Sequence, residues 1–505
     1  MELWTFRKYE KPFLATDSIR FDDATGELLV DGGGSEYVIE HEGGSGEHIA
    51  ARLQTLQSPS AALWDELRGN PGVGAYSLLL EQMDHLGLVQ DAARSSTVSG
   101  ESGHYRSAAR RAADGLLGDV GASERATLRG HALTVRSHAV RLLRELAADI
   151  LPGRIPEGDA ARRPAEAFAI DNFYLQALVL QLWYFRRSAP LSLLCASLAL
   201  DQVAAALGEA SDGTSELAEM LLDELVGGVY EQRSVDAHLA CFRSFLSRST
   251  GSGAARRCRS AFRPSGRSSG IDFMIAAESV ALDGIRQLGT PRFLVAIKKP
   301  GAPQSLAQGC YLEQYHVTCR FVEILAPMMA KRLLPPLRKR MTKYYAEEVG
   351  HEAFELSSCR ALGITEEEAD QRLPLPLHVA YVDIFTLLSE VAPVGYFVSL
   401  FITEGLLGVE PPIDEPMRQL TGMGTNFEEV AGKHSALNEA YNHTSLSRLF
   451  MADVPSVGPA TQLRALDYML FLLELNHRAW DDLLEYYGEG GPWQYERLEQ
   501  EVRCS

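Results

Sequence analysis

The 505-residue chain lacks the features of several common protein classes. It has no cysteine pair at C-x-x-C spacing, which disfavours both a structural zinc site and a disulfide framework. It has no apolar run long enough to span a bilayer, because the longest candidate, 396–407, is interrupted by Thr403 and Glu404. The beginning of the sequence also lacks the pattern of a signal peptide. We therefore expect a cytoplasmic protein with reduced cysteines.

Positive charge is also scarce. The chain has 48 Lys and Arg residues against 67 Asp and Glu residues, which gives a formal net charge of -19. A surface with this charge repels nucleic acids and anionic lipids at long range. We therefore expect neither a nucleic-acid nor a membrane partner, and instead a small-molecule, carrier-bound or peptide-bound substrate.

The N-terminal 90 residues form the first predicted domain. Residues 18–40 alternate apolar and polar side chains around turn signals, which predicts a small antiparallel sheet. Helical patterns follow over 48–67 and 73–88. This order resembles the small winged-helix modules that recognise leader peptides in peptide-modifying enzymes, although a plain structural module has the same pattern.

The rest of the chain is predicted to be mostly α-helical, because its apolar period is helical and sustained. The Ser/Gly-rich stretch 91–108 and the arginine-rich stretch 249–270 are interpreted as linkers. They delimit a helical lobe at 109–290 and a third domain at 291–490.

Glu-x-x-His pairs are the first sign of chemistry, because residues three apart on a helix share one face and such pairs ligate metals in helical carboxylate sites. The sequence has four such pairs, which are Glu101/His104, Glu313/His316, Glu348/His351 and Glu474/His477. The first lies in a predicted linker, and the other three lie in predicted helices. A single pair of this kind is more often an ordinary helix ion pair than a metal site.

Glu404 strengthens the case for a buried site. It stands within FVSLFITEGLLG, an otherwise almost continuous apolar run. A carboxylate in such surroundings needs a buried partner or a metal.

The C-terminal 200 residues resemble a known family. The runs YLEQYHVT, YYAEEVGHEAFELSSCRALGI, PVGYFVSLFITEG and QLRALDYMLFLLELNHRAWDDLLEYY, in this order between about 290 and 490, are similar to those of the haem-oxygenase-like diiron oxidases. The resemblance implies a haem-oxygenase-like helical bundle without haem. It also implies two Fe(II) ions that use O2 to oxidise amino acids, amines or fatty acids, frequently in natural-product pathways. For this chain we predict an amino-acid-, amine- or peptide-derived substrate in such a pathway. By position, the implied iron ligands are Glu313, Glu348, His351 and Glu404.

The late ligand departs from the family pattern. His434 is followed by Asn438 and Tyr441, where the family has Asp and His, and His443 offers a second register. On a regular helix, residues nine apart face opposite ways, so His434 and His443 cannot both bind one centre without a break. We take His434 as the preferred ligand and His443 as the second choice. Because an amide is a poorer ligand than a carboxylate, Asn438 leaves open whether a second iron is retained.

The lobe at 109–290 resembles a degenerate copy of the oxidase domain. The stretch 172–200 is similar to the helix of Glu313, and the segment with Glu224 and His238 is similar to the glutamate-to-histidine passage of related enzymes. No complete ligand set can be assembled from it. A lobe that shapes access to the site or a dimer interface is the simpler interpretation, and we predict a homodimer.

Two other functions are compatible with the same helices. One is a metal-free helical oxidase or hydrolase similar to enzymes of quinone or thiamin metabolism, in which histidines act as acids and bases. The other is a non-catalytic peptide-binding scaffold whose acidic residues form ion pairs.

Overall fold

The structure is a computed structural model. It describes residues 12–25, 27–32, 35–39, 45–58, 79–80, 82–83, 88–118, 120–150, 164–210, 213–226, 232–248, 253–404, 414–423, 427–430 and 433–488. The chain divides into two compact units, one formed by 1–105 with 223–228 and the other by 106–222 with 229–505.

The first unit contains two small antiparallel sheets. Strands β2, β3 and β4 form a three-stranded sheet, and β1 pairs with β5. The bounds are β1 Pro12–Leu14, β2 Ser18–Asp22, β3 Glu27–Gly32, β4 Ser35–Ile39, helix α1 Gly46–Gln54 and β5 Val89–Asp91.

The sheet forms because alternate side chains point to one buried face. Ile19, Leu28 and Val30 are almost fully buried and pack with Leu53 of α1. The sheet predicted over 18–40 is confirmed. Most of the predicted helix at 73–88 lies outside the described residues, so the winged-helix likeness stays a prediction.

The second unit is helical, which confirms the predicted mostly α architecture. Its helices are α2 Ala92–Leu117, which begins in the first unit, α3 Ala122–Ile150, α4 Phe173–Ser188, α5 Pro190–Ala206, α6 Thr214–Leu225, α7 Gln232–Ser247, α8 Gly270–Leu288, α9 Arg292–Ala296, α10 Ser305–Cys319, α11 Phe321–Met329, α12 Pro335–Glu348, α13 Glu352–Ala361, α14 Glu366–Gln371, α15 Pro376–Val391, α16 Pro393–Thr403, α17 Asp414–Thr421, α18 Phe427–Val430, α19 Lys433–Ala440, α20 Leu446–Ala452 and α21 Pro459–Tyr487.

Local sequence sets where these helices begin. Proline occupies the first turn of α5, α12, α15, α16 and α21, where its missing N–H is not needed. Asn172 caps α4 by accepting from two backbone N–H groups, and Thr365 forms a capping box with Glu368 at α14. Among the described helices, none combines the length and hydropathy needed to cross a bilayer.

Both predicted linkers contain helical structure instead. Residues 91–108 lie largely in α2, where Ala108, Ala109 and Ala112 are buried. In the second stretch, Ala255–Ala261 forms a 3-10 helix whose Cys258 is buried. The prediction relied on serine and glycine content and was wrong for both stretches. Alanines give α2 a buried face, and the 3-10 helix packs against α8 and α21.

A buried polar network joins helices that lie far apart in the sequence. Asp383 of α15 accepts hydrogen bonds from Gln181 Nε2 at 2.8 Å and from Arg320 Nη2 at 2.9 Å. His238 Nε2 lies 3.2 Å from Asp383 Oδ2, and Ser192 Oγ lies 2.6 Å from His238 Nδ1. The compact helical unit therefore contains parts of both predicted helical domains. The limits 109–290 and 291–490 stay predictions.

Two helix pairs repeat one local geometry. Ala189 between α4 and α5 has φ -141° and ψ 60°, and Ala392 between α15 and α16 has φ -143° and ψ 70°. A proline follows each alanine and begins the next helix. Asp201 lies 12 residues after Ala189, and Glu404 lies 12 residues after Ala392. In this respect the region 172–200 matches α15 and α16, whereas the sequence comparison had matched it to the helix of Glu313.

Candidate metal centre

The Glu348/His351 pair lies at a break between two helices. Helix α12 ends at Glu348, Val349 is extended, and Gly350 has a φ of +91°, which favours glycine. His351 then occupies the N-cap position of α13, and its Nδ1 lies 3.0 Å from Glu348 Oε2. The sequence predicted one helix through both residues. The pair meets across the turn instead of along one helical face.

Glu404 lies directly after the last residue of α16. Its side chain is buried, and the hydroxyl of Tyr344 on α12 donates a 2.9 Å hydrogen bond to its Oε1. A buried tyrosine hydroxyl is therefore one of the partners that the sequence predicted for Glu404.

His443 reaches the two carboxylates because the chain turns sharply before it. Asn442 adopts the left-handed conformation, with a φ of 59°, and a 3-10 helix follows at His443–Ser445. His443 Nδ1 lies 3.3 Å from Glu348 Oε1 and 3.5 Å from Glu404 Oε2. Glu348, Glu404 and His443 each offer one ligand atom, and these atoms lie within 4.8 Å of one another.

Several potential metal-ligand atoms of this cluster have no hydrogen bond among the described residues. Glu348 Oε1 and both ring nitrogens of His443 are buried, and none has a hydrogen-bond partner in the described part of the chain. Burial raises the pKa of Glu348, and Glu404 raises it further against the opposing effect of His351. Burial alone would lower the pKa of His443, but Glu404 and Glu348 raise it above its usual value. Buried carboxylate and imidazole atoms without hydrogen bonds fit a cation.

Glu347 is a neighbour of the site that the sequence analysis missed. Its Oε2 lies 3.6 Å from His443 Nε2, and its Oε1 lies 2.6 Å from Lys343 Nζ. The signal available in the sequence was its position beside Glu348. Adjacent residues of a helix point in different directions, so the position of Glu347 beside Glu348 did not indicate a shared site.

The structure does not bring Glu313 into the cluster. Glu313 is fully buried, and its carboxylate accepts hydrogen bonds from the backbone N–H of Leu375 at 2.8 Å and the hydroxyl of Tyr487 at 3.0 Å. His378 Nδ1 lies 3.7 Å away. Burial raises the pKa of Glu313 to about 8. In this arrangement Glu313 connects three parts of the fold.

The other late candidates are placed only in part. His434 and Asn438 belong to α19, but the side chain of His434 lies outside the described residues. Asn438 Oδ1 is buried without a hydrogen-bond partner in the described structure. The preference for His434 stays a prediction, and the described geometry brings His443 to the carboxylates.

The other histidine pairs lie elsewhere. Glu474 accepts hydrogen bonds from the backbone N–H of Ala255 and from Arg478, which is an internal hydrogen-bonding role. Burial lowers the pKa of His316 to about 3. His238 belongs to the network around Asp383.

A cavity of about 360 Å³ lies beside the cluster. Glu347 and His351 form part of its wall, and these two residues also contact His443 and Glu348 respectively. The remaining lining residues are Lys343, Ala346, Val349, Gly350, Phe354, Leu437 and Tyr441.

The chain has few matches among known proteins. No protein-family model matches the chain, and no curated protein matches it. A solved domain of unknown function with a haem-oxygenase-like fold, from Shewanella denitrificans OS217, is 18% identical with a TM-score of 0.36. The match covers 42% of this chain and 90% of that domain. A likeness at this level is distant. The geometry of the cluster is therefore the basis for the candidate metal site.

Proposed function

We propose that the chain is a non-haem iron oxidoreductase that uses O2 to oxidise an amino-acid-, amine- or peptide-derived substrate in a natural-product pathway. The observation that carries this proposal is the buried cluster of Glu348, Glu404 and His443, whose ligand atoms lie within 4.8 Å of one another. Carboxylate and imidazole donors together suit Fe(II), and iron follows from the resemblance of the four sequence runs to diiron oxidases.

Glu348, Glu404 and His443 would hold the first iron. Among the described residues, Glu347 and His351 are the nearest further donors for a second iron, at 3.6 Å from His443 and 3.0 Å from Glu348 respectively. We expect the second ion to be held more weakly, because Glu347 already contacts Lys343 and Glu313 is engaged elsewhere. Bound Fe(II) would supply the electrons needed to activate O2 for oxidation of the substrate.

The protein's own residues organise this centre. Tyr344 holds one oxygen of Glu404, which leaves Oε2 facing His443. The edge of the Tyr344 ring also packs against the imidazole of His443, with ring centroids 5.4 Å apart. Phe397 and Phe450 stack nearby with centroids 4.8 Å apart, and the Tyr344 ring contacts Phe450, which helps to exclude water. Fixed ligands in a dry site are the protein's usual contribution to metal chemistry.

Anaerobic Fe(II) titration tests the proposal. The wild-type chain should retain iron through desalting and consume O2 when oxygen is admitted. Glu348→Gln, Glu404→Gln and His443→Gln should each lose most of the iron. Glu366→Gln is a matched control, because this exposed glutamate on α14 belongs to a surface ion pair with Arg360. Absence of iron binding by the folded wild type, or full retention in all three site variants, contradicts the proposal.

A metal-free acid–base enzyme is the second candidate. It is favoured by the raised pKa of His443 between two buried carboxylates, a setting in which an imidazolium can donate a proton. Chelation separates the two functions once a substrate is identified. Activity that survives complete removal of iron favours the metal-free enzyme, whereas activity that is lost and then restored by Fe(II) favours the oxidase.

A further inference from the structure

Two cations lie against aromatic residues that line the cavity beside the metal centre. Lys343 Nζ lies 6.0 Å from the ring centroid of Tyr441, and Lys433 Nζ lies 5.2 Å from that of Phe354. Both rings line the cavity. The Lys343 side chain is 67% exposed, so its ammonium marks the solvent side. Ammonium groups over aromatic faces are held near the wall without being neutralised.

One of these cations is partly paired. Glu347 Oε1 lies 2.6 Å from Lys343 Nζ, while Glu347 Oε2 faces His443. An ammonium has three N–H donors, so contact with one carboxylate oxygen leaves donors for a ligand. Lys343, Lys433 and Glu347 together carry one net positive charge, which matches a single carboxylate better than a doubly charged phosphate. This local charge is opposite to that of the chain as a whole, at -19.

The cavity wall has apolar as well as charged residues. Val349, Phe354, Leu437 and Tyr441 supply apolar surface. Val349 is 54% exposed and Tyr441 is 39% exposed, so both present accessible apolar surface to a ligand. The volume of about 360 Å³ lies within the range of small-molecule sites, roughly 300 to 1,000 Å³.

We infer that this cavity binds a small molecule with an apolar body and one carboxylate. The body packs against Val349, Phe354 and Leu437, and the carboxylate lies between Lys343 and Lys433. This inference rests on the proposed function, because it takes the cavity as the substrate site of the iron centre. It assigns Lys343 and Lys433 as the residues that select the head group.

The test uses the metal-free full chain and four probes with the same apolar body. These are 4-phenylbutyrate, 4-phenyl-1-butanol, 4-phenylbutylamine and 4-phenylbutylphosphonate, and binding is measured by isothermal titration calorimetry. The carboxylate should bind about tenfold more tightly than the alcohol or the amine, and more tightly than the phosphonate.

Lysine variants then test which residues give the preference for the carboxylate probe. Lys343→Met and Lys433→Met should each weaken 4-phenylbutyrate about fivefold and leave 4-phenyl-1-butanol unchanged. Lys298→Met is the matched control, because it removes the same charge from an exposed lysine that does not line the cavity, and it should change neither affinity. Leu437→Trp should block all four probes while Fe(II) affinity stays unchanged.

The inference is overturned if no probe binds, if the acid and the alcohol bind equally, or if both lysine variants keep the wild-type preference for the acid. A phosphonate that binds more tightly than the carboxylate also overturns it, because the head group is then misassigned. Iron binding is measured separately on the same samples. Lysine-dependent probe binding without any iron binding would contradict the proposed function and leave this inference standing.

Discussion

The hydroxyl of Tyr344 donates a 2.9 Å hydrogen bond to Glu404 Oε1, and both side chains are buried. This bond connects the last turns of α12 to the end of α16 and fixes one oxygen of a candidate metal ligand. Burial and the neighbouring carboxylate Glu404 raise the pKa of Tyr344 well above its ordinary value, so its proton stays on the phenol. Tyr344 therefore acts as a permanent donor to Glu404.

Removal of that donor should weaken the metal centre without removing a ligand. In Tyr344→Phe, Glu404 keeps its charge but loses the group that orients it, so Fe(II) affinity should fall roughly tenfold, as for other residues that orient ligands. Anaerobic titration measures the affinity. Tyr345→Phe removes the neighbouring, partly exposed hydroxyl and should retain wild-type affinity. Equal affinities in all three proteins would show that the bond to Glu404 has no part in metal binding.

Gly350 offers a test of the break between Glu348 and His351. Its φ of +91° disfavours any residue with a Cβ, although the space around an added Cβ is open. Gly350→Ala should lower stability by about 1 kcal/mol and also weaken Fe(II) binding, because relief of the strain moves His351 relative to Glu348. Melting temperature and iron titration report the two effects.

Gly363→Ala is the matched control for this change. Gly363 has a φ of +84° and equally open surroundings, but it lies after the end of α13 and outside the metal cluster. It should show a similar loss of stability with unchanged iron affinity. An equal loss of iron affinity in both variants would assign the effect to general destabilisation.

Local pattern predicted the helical architecture, the small sheet and part of the candidate site. The apolar neighbours of Glu404 correctly indicated a buried carboxylate, and the spacing of Glu348 and His351 indicated a pair in contact. The choice between His434 and His443 could not be made in this way. It depends on the left-handed Asn442, and a single asparagine that tolerates this conformation does not identify the turn in advance.

Glu313 shows a second limit of sequence reasoning. Its spacing to His316 is the same as that of Glu348 to His351, so the pattern cannot separate them. The difference arises from Tyr487 and the backbone of Leu375, which lie 174 and 62 residues away in the chain. Only tertiary packing brings these donors to Glu313.

Glu313 should make the stability of the protein depend on pH. Its pKa in the folded chain is about 8, above the ordinary value of 4.5, so the folded state holds a proton that the unfolded state releases between these values. The stabilisation is full below pH 4.5 and is lost as pH rises toward 8. Glu313→Gln stays neutral and should lose less stability over that interval.

Thermal melting at pH 5.5 and pH 8.5 compares the two proteins. The fall in melting temperature on going to pH 8.5 should be smaller in Glu313→Gln than in the wild type. Iron retention should be the same in both at pH 7, because Glu313 does not contribute to the described cluster. A large loss of iron in Glu313→Gln would return Glu313 to the ligand set that the sequence predicted.

Asp383 should be the most sensitive position in the helical unit outside the metal centre. His238 and Arg320 hold its pKa below the ordinary value even though burial alone would raise it. Asp383→Asn leaves Arg320 without its buried counter-charge and weakens the contact with His238, so the free energy of unfolding should fall by about 3 to 5 kcal/mol. Glu390→Gln, which breaks a more exposed ion pair with Arg187, should lower it by less than about 1 kcal/mol. Chemical denaturation followed by circular dichroism measures both changes, and comparable losses in the two variants would show that the buried network does not join these helices energetically.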